Sequence, residues 1–548
     1  MSKISKVVKE EKERKMHKKD ETVVNFMGGE SFKINPVDTM KMVTASSIFG
    51  EPSYYRNGQI GNKVRDALYR KHRAVIGFTV LDDEYVGKTT TQIMEQVIDE
   101  ALSYNFHETL KWATTLRNEY YMRLNPQIIM VRAAMHPDRK KFTEKFPGEF
   151  GRIEEQVMVR ADEPAAQIAY YLYLNKDKKN MPNLLKKCIS KTLSGLSRYE
   201  VAKYKNHEIG MIDAVRITHA NSDVLDELMQ TGTVNVEEDE KTWENLRSEG
   251  KSWKEIYNTT KIGHMALLRN LRGVFTEVND MDFCKEYLSK LKFGVKRGKQ
   301  FPFRYYTALQ MIENSNCNHK ALIIDALEDC MDLALENMPR LKGKTMCLSD
   351  NSGSAWGAVP TEYGTVKVAE IDNLSSVIAA SLSEEGYVGK FGDRLKVFPI
   401  SKRNGILSQA KEISKSQGKD VGYSTEGGIW EFFKNAINEK EHWDNIFIYS
   451  DMQAGHGGLY GTDKQRREYS SKFGYQNYYI NVYDLILEYR KKVNPKVNVF
   501  CVQTAGYTNI AVPEQSYRCS IQYGWTGKEV LYADKMNQLW DEVENKNN

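Results

Sequence analysis

Three oxygen-bearing side chains stand at alternate positions in Asp350-Asn351-Ser352-Gly353-Ser354. A carboxylate and two hydroxyls at i, i+2 and i+4, with a glycine that lets the backbone close tightly, can wrap a hard cation. All-oxygen donors favour Mg²⁺ first, with Mn²⁺ or Ca²⁺ as alternatives, over zinc. The same spacing is common in plain turns, so two further segments matter. Residues 445–451, Asn-Ile-Phe-Ile-Tyr-Ser-Asp, end an apolar run on an acid, Asp451. Between the two, Tyr423-Ser424-Thr425-Glu426-Gly427-Gly428 opens a helical pattern and offers a hydroxyl, Thr425 or its neighbour Ser424. No nucleophile or general base is arranged around these groups. His456 is the one nearby ring and reads as a loop histidine. A binding site, not an enzyme, is the expectation.

These side chains need strands to hold them. After Arg340-Leu341-Lys342-Gly343 short apolar runs alternate with amphipathic segments. Residues 344–348, 394–398, 445–449 and 497–503 read as buried parallel strands, with Asp350 just past the first. Residues 368–382, 406–414, 428–437 and 483–489 read as crossover helices. That is a doubly wound, Rossmann-like α/β sheet, whose ligands bind at the carboxyl ends of the central strands.

Residues 36–340 carry a helical period almost throughout. Ile93, Val97, Ile98 and Ala101 share one face of a helix at 90–101, and 165–174 is similar. Residues 321–335 place Leu322, Ile323, Ala326, Leu327, Cys330 and Ala334 on one face. Turn signals at Asn125-Pro126, His136-Pro137 and Met181-Pro182 punctuate the series, which suggests stacked helical repeats of HEAT-like type. The acidic stretch 231–249 reads as a surface loop. The expected organisation is therefore a basic tail at 1–24, a helical-repeat domain at 25–341 and an α/β domain at 342–548, mainly α plus α/β in class.

At 548 residues the chain needs more than one core, and its 41% hydrophobic and 28% charged composition excludes wholesale disorder. No run is apolar enough for a membrane helix and no secretory signal precedes the lysine-rich start, so a cytoplasmic protein is expected. Seven scattered cysteines, with no Cys-x-x-Cys pair, read as reduced thiols. The surplus of five positive charges lies wholly before Lys342, with 53 basic against 48 acidic residues, and 25 of each follow. A polyanion would accordingly meet the helical part. There Lys186, Lys187, Lys191, Arg198, Lys203 and Lys205 interleave with Tyr199 and Tyr204, as phosphate contacts and stacking faces would. The plainer alternative is a solvated helix face with the tyrosines packed inward.

The Asp-x-Ser-x-Ser loop, the later Thr and the strand-ending Asp together resemble the metal-ion-dependent adhesion site of von Willebrand factor A domains. That resemblance implies Asp350, Ser352, Ser354, Thr425 and Asp451 as ligands, directly or through water, with a position open for an acidic group of a partner. The helical part resembles the TROVE module of the 60-kDa Ro autoantigen family, in a bacterial or phage-like form. Phe49-Gly50-Glu51-Pro52-Ser53-Tyr54-Tyr55 is similar to its Gly-x-x-x-Gly-Tyr-Tyr segment, with Ser53 where glycine is usual. Residues 117–126, Lys203-Tyr204-Lys205 with Arg216-Ile-Thr-His219, Met265-Ala-Leu-Leu-Arg269-Asn270-Leu271 and Gln300-Phe-Pro302-Phe303 resemble its other segments. Asn206 and His207 stand where the family has an Arg, and the interval to His219 is one residue shorter.

The resemblance implies a helical-repeat ring joined by the A domain. It also implies small non-coding (Y-like) RNA on the outer basic surface and single-stranded RNA ends in the hole. It places Lys186, Lys187, Lys203, Lys205, Arg216 and His219 at the RNA. The implied assembly is a monomeric ribonucleoprotein scaffold in RNA quality control, which an exoribonuclease or another acidic protein could join through the cation. A protein-interaction scaffold is the competing reading. Arg269 has a plainer one, pairing with an internal carboxylate. Val86-Gly87-Lys88-Thr89-Thr90 lacks the glycine a P-loop needs at Asp82, so nucleotide binding is set aside.

Overall fold

The computed structural model describes residues 22–24, 30–32, 36–45 and 90–547, except 121, 176–179, 205–208, 238–240, 299, 301, 337, 362–363, 452–458, 460, 475–479, 505–516, 524–526 and 528. The segments at 49–55 and 82–89, and Lys205, Asn206, His207 and His456, therefore lie outside the described residues. Two compact units result: Met94–Asn337, and Met338–Asn548 together with Met1–Ile93.

The first unit is helical. Its opening helix, Thr90–Asn118, is longer than the 90–101 expected and breaks at Asn105 (φ −152°, ψ 90°). There the Asn105 side chain accepts from the Glu108 amide at 3.1 Å and restarts the helix as an N-cap does. The 117–126 segment closes a helix junction: Arg117 pairs with Glu163 at 2.9 Å and Arg123 with Asp162. Two arginines thus anchor the start of helix Glu163–Leu174. Successive helices pack on near neighbours, Leu124–Met135 on Glu163–Leu174, His264–Glu277 on Met281–Gly298, and Pro302–Glu313 on Lys320–Leu335. This is the helical-repeat pattern expected.

Three expectations here are corrected. Residues 231–249 are not one loop, because Thr242 caps a helix, Trp243–Ser248, whose Leu246 is buried. Leu322 is exposed while Ile323, Ala326, Leu327, Cys330 and Ala334 are buried, so the apolar face starts one residue later. Arg269 is exposed, so it is not placed to pair with an internal carboxylate.

This unit also buries an acid. Glu154 is fully enclosed, accepts from Gln167, and burial pushes its carboxyl up to about 8. Folding therefore favours its protonated form. Between the usual glutamate value and about 8 the folded chain holds a proton the unfolded chain has released, so stability falls as pH rises through that window. Glu154→Gln, neutral at every pH, should flatten that decline, worth roughly a few kcal/mol. Urea denaturation midpoints at pH 5 and pH 9 check it.

The second unit is a six-stranded sheet in the order β10-β9-β8-β3-β6-β7. The strands are β3 (Leu341–Asp350), β6 (Ser383–Phe391), β7 (Leu395–Pro399), β8 (Asn445–Ser450), β9 (Asn498–Gln503) and β10 (Cys519–Tyr523). Two short hairpins, β1 (Thr22–Val24) with β2 (Glu30–Phe32) and β4 (Ala358–Thr361) with β5 (Gly364–Lys367), stand apart from it. Pairing is parallel throughout except β7, which runs antiparallel to β6. The 394–398 expectation of a buried parallel strand is thus corrected: β7 is a hairpin edge strand with no fully buried residue. Its partner β6 and the far strand β10 were not foreseen. Asp350 is the last residue of β3, not one beyond it.

The chain leaves β3 to one side for β6 and to the other for β8, so the order reverses at β3. Reversal opens a crevice at the carboxyl ends of β3 and β8. Helices Val368–Ser381, Ile406–Ser414, Gly427–Asn438 and Val482–Lys492 flank the sheet where helical periodicity predicted them. No helix among the described residues is long and apolar enough to cross a membrane. None of the seven cysteines is in a disulfide, and six of them are buried.

Candidate functional site

Asp350 ends β3 and Asp451 directly follows the adjacent parallel strand β8 at this crevice, and both are buried. The Asp350 carboxylate accepts from the Ser352 amide at 2.8 Å through one oxygen and from the Ser450 hydroxyl through the other. The first bond curls the loop back, bringing the Ser352 and Ser354 hydroxyls to 3.3 Å from each other. The loop is fastened outside as well: the Asn351 amide donates to the Phe391 carbonyl at 2.8 Å and the Gly353 amide to Tyr423 at 2.9 Å. Gly418 (φ +82°) lies against it, and a Cβ there would stand 2.6 Å from the Asn351 carbonyl oxygen.

Burial, and next the charge of Asp451, push the Asp350 carboxyl up to about 7. Two desolvated acids side by side are costly unless a cation or protons offset them. An oxygen-only set of two acids and two close hydroxyls suits a hard divalent ion, so the residues present fit one. Thr425 is the exception. It shares the segment of Tyr423, but its hydroxyl donates to Asp393 at 2.9 Å and accepts from the Gly427 amide at 3.2 Å.

A second polar layer escaped the sequence. The Asn351 side chain donates to Asn373 at 2.8 Å, Ser349 to Asn373 at 2.6 Å, and Asn373 to Ser414 at 2.9 Å. This network ties the loop to helices Val368–Ser381 and Ile406–Ser414. Its signal was the Asp372-Asn373 pair within an otherwise apolar helix.

On the helical unit, helix Asn183–Ser194 packs on helix Met211–Thr218, and Tyr204 lines a small cavity with Leu193, Met211 and Ala214. The structure therefore brings three of the expected basic segments together. Lys187 is exposed and Lys186 half-buried on the first helix. Lys203 lies over both Tyr199 and Tyr204, 5.4 and 5.3 Å from the ring centroids, so these rings cradle the ammonium. Arg216 pairs with Asp213 at 3.4 Å, both well exposed, and His219 sits exposed at the left-handed helix C-cap (φ 56°). Lys191 and Arg198 are held by Glu155 and Glu227. Elsewhere Phe293 is 79% exposed on helix Met281–Gly298, with Lys290, Lys296 and Arg297 one turn away. Its signal was an aromatic at a polar position of a basic helix.

No family model matches the chain, and no curated protein matches it in sequence. Among solved structures, the crystal structure of Deinococcus radiodurans RO (RSR) protein matches at a TM-score of 0.56 and 15% identity, over 86% of this chain and 99% of that one. The chain has the Ro fold. In this Ro fold the acidic crevice belongs to the α/β unit and the basic face to the helical unit.

Proposed function

We propose that this protein is an RNA-binding scaffold of a Ro-type ribonucleoprotein. In this reading it binds small non-coding, Y-like RNA and the single-stranded ends of structured or misfolded RNA. The observation that carries the reading is the Ro fold over most of both chains. Supporting it, Lys186, Lys187, Lys203, Arg216 and His219 occupy mutually packed segments of the helical unit. Phosphate neutralisation by such a face releases counterions and makes binding strongly salt-dependent. The α/β unit is read as a von Willebrand A-type domain in which Asp350, Ser352, Ser354 and Asp451 hold Mg²⁺, Mn²⁺ or Ca²⁺. Thr425 would join them once its hydroxyl turns from Asp393. When bound, the cation would offer a coordination position to a carboxylate of a protein partner. The role is one of binding, with no chemical step assigned.

The test is RNA binding by the purified protein, followed by fluorescence anisotropy between 50 and 300 mM salt (roughly the range where counterion release is resolved). Affinity should fall steeply and log-linearly. Absence of salt-sensitive binding to both structured and single-stranded RNA overturns the proposal and leaves the protein-interaction reading.

A further inference from the structure

We infer that Phe293, on helix Met281–Gly298, is a stacking platform for an unpaired base of single-stranded RNA, with Lys290 and Arg297 taking the phosphates on either side. The inference rests on the RNA-binding reading and adds a contact on a different helix from those that carry Lys186, Lys187 and Lys203.

This helix buries Cys284, Tyr287, Leu288, Leu291 and Val295, which form one continuous apolar stripe at helical spacing. Phe293 stands outside the stripe and is the most exposed large hydrophobic side chain among the described residues. Its outward direction is fixed by close packing behind it. Gly294 and Gly298 lie against His264, where an added Cβ would stand 2.8 and 2.6 Å from that side chain. His264 is itself held by the Leu291 carbonyl at 2.9 Å and the Tyr305 hydroxyl at 2.8 Å. The helix therefore cannot roll to take the ring inward. A phenyl ring in water beside a complete apolar stripe adds little to folding, and such a group marks a binding surface.

The charges around it say what binds. One turn before Phe293, the Lys290 ammonium lies over the Tyr257 ring, 4.4 Å from its centroid, and Tyr257 stacks on Tyr287 at 5.5 Å. Aromatic contact positions this cation without cancelling its charge. The nearest acid along that face, Glu286, is engaged by the Tyr257 hydroxyl. One turn after Phe293, Arg297 is exposed. Lys292 and Lys296 are held by Asp329 at 3.0 Å and Glu336 at 2.5 Å, whereas Lys290 and Arg297 have no such partner among the described residues. Seven residues of helix separate these two cations by roughly 10 Å, with the ring between them. Long flexible side chains at that separation suit the phosphates that flank one stacked base. Protein interfaces centred on an aromatic are instead depleted in lysine, so the setting favours a nucleic acid.

Fluorescence anisotropy with a single-stranded oligoadenylate of about twelve nucleotides tests this on the full chain. Phe293→Ala should weaken binding about tenfold or more, Phe293→Leu should weaken it as much because it lacks a flat face, and Phe293→Tyr should restore it. The salt dependence of Phe293→Ala should match the parent's, while Lys290→Ala combined with Arg297→Ala should flatten it by about two contacts' worth. Because the ring is exposed, melting temperatures should not change among the Phe293 variants. Unchanged affinity in Phe293→Ala, with the parent binding RNA, overturns the platform, leaves the ring to a protein partner and leaves the RNA-binding reading standing. Parent-like binding by Phe293→Leu reduces the contact to a merely apolar one and also overturns stacking. An unaltered salt dependence in the Lys290 and Arg297 double variant removes those cations from the phosphates and overturns the clamp. No salt-sensitive binding by the parent to this or to structured RNA overturns the RNA-binding reading and the inference with it.

Discussion

Asp350→Asn combined with Asp451→Asn should abolish the thermal stabilisation expected from added Mg²⁺ or Mn²⁺, and should raise the melting temperature of the cation-free protein. Both halves follow from one arrangement. Asp350 ends β3, Asp451 directly follows the neighbouring parallel strand β8, both are buried, and burial together with the charge of Asp451 pushes the Asp350 carboxyl up. Without a cation they repel in a low-dielectric crevice, so neutralising them removes a cost of about 1–3 kcal/mol. Asn keeps an acceptor for the Ser352 amide and can donate to the Ser450 hydroxyl, so the loop should hold its shape. With a cation the same charges supply the binding energy. A ligand at a hundred times its dissociation constant stabilises by about 2.7 kcal/mol, several degrees for a domain of this size. Scanning calorimetry in chelator and in excess metal gives both numbers. Equal metal-induced shifts in parent and variant would sink the cation site, and a lower melting temperature in chelator would sink the repulsion argument.

Reversing Lys186, Lys187 and Lys203 to Glu should cost about two to three orders of magnitude in RNA affinity at 0.15 M salt and flatten the salt dependence by about three contacts' worth. The three belong to segments that pack together, and they hold positive charge at a face where Lys191 and Arg198 are already engaged by Glu155 and Glu227. That difference supplies an internal control. Lys191→Ala removes a charge that a carboxylate already offsets and should change affinity less than about threefold. Arg216→Ala should fall between, because Asp213 holds it only loosely at 3.4 Å in an exposed pair. Loss of affinity that is equal for the Lys191 variant and the triple variant, or absent from both, would remove this face from the interface. Anisotropy titrations at three salt concentrations decide it.

Much of this molecule was legible because its signals are local. The period of apolar residues in 165–174 or 406–414 follows from the geometry of one helix, and the structure places helices there. Asp350, Ser352 and Ser354 are close in space because they are close in sequence, and one Asx-type turn suffices to gather them. Asp451 was within reach for a related reason, since a six-residue apolar run ending in an acid marks the mouth of a buried parallel strand.

Only the tertiary structure decided the rest. β7 is as apolar as a core strand, but the tight turn after Phe391 sends it back along β6 to an edge. The Thr425 hydroxyl belongs to Asp393 because the segment after Gly422 lies against that hairpin turn. Arg269 sits outside a helix whose inner face is complete without it. Asn373 meets Ser349 and Asn351 only because its helix packs against the end of β3. The sequence by itself determined which residues could carry a cation or a phosphate, because side-chain chemistry and short-range periodicity are written in it directly. Which of the distant ones meet was decided by the path of the chain, because partners such as Asp350 and Ser450 stand 100 residues apart and their proximity is a property of the packed sheet.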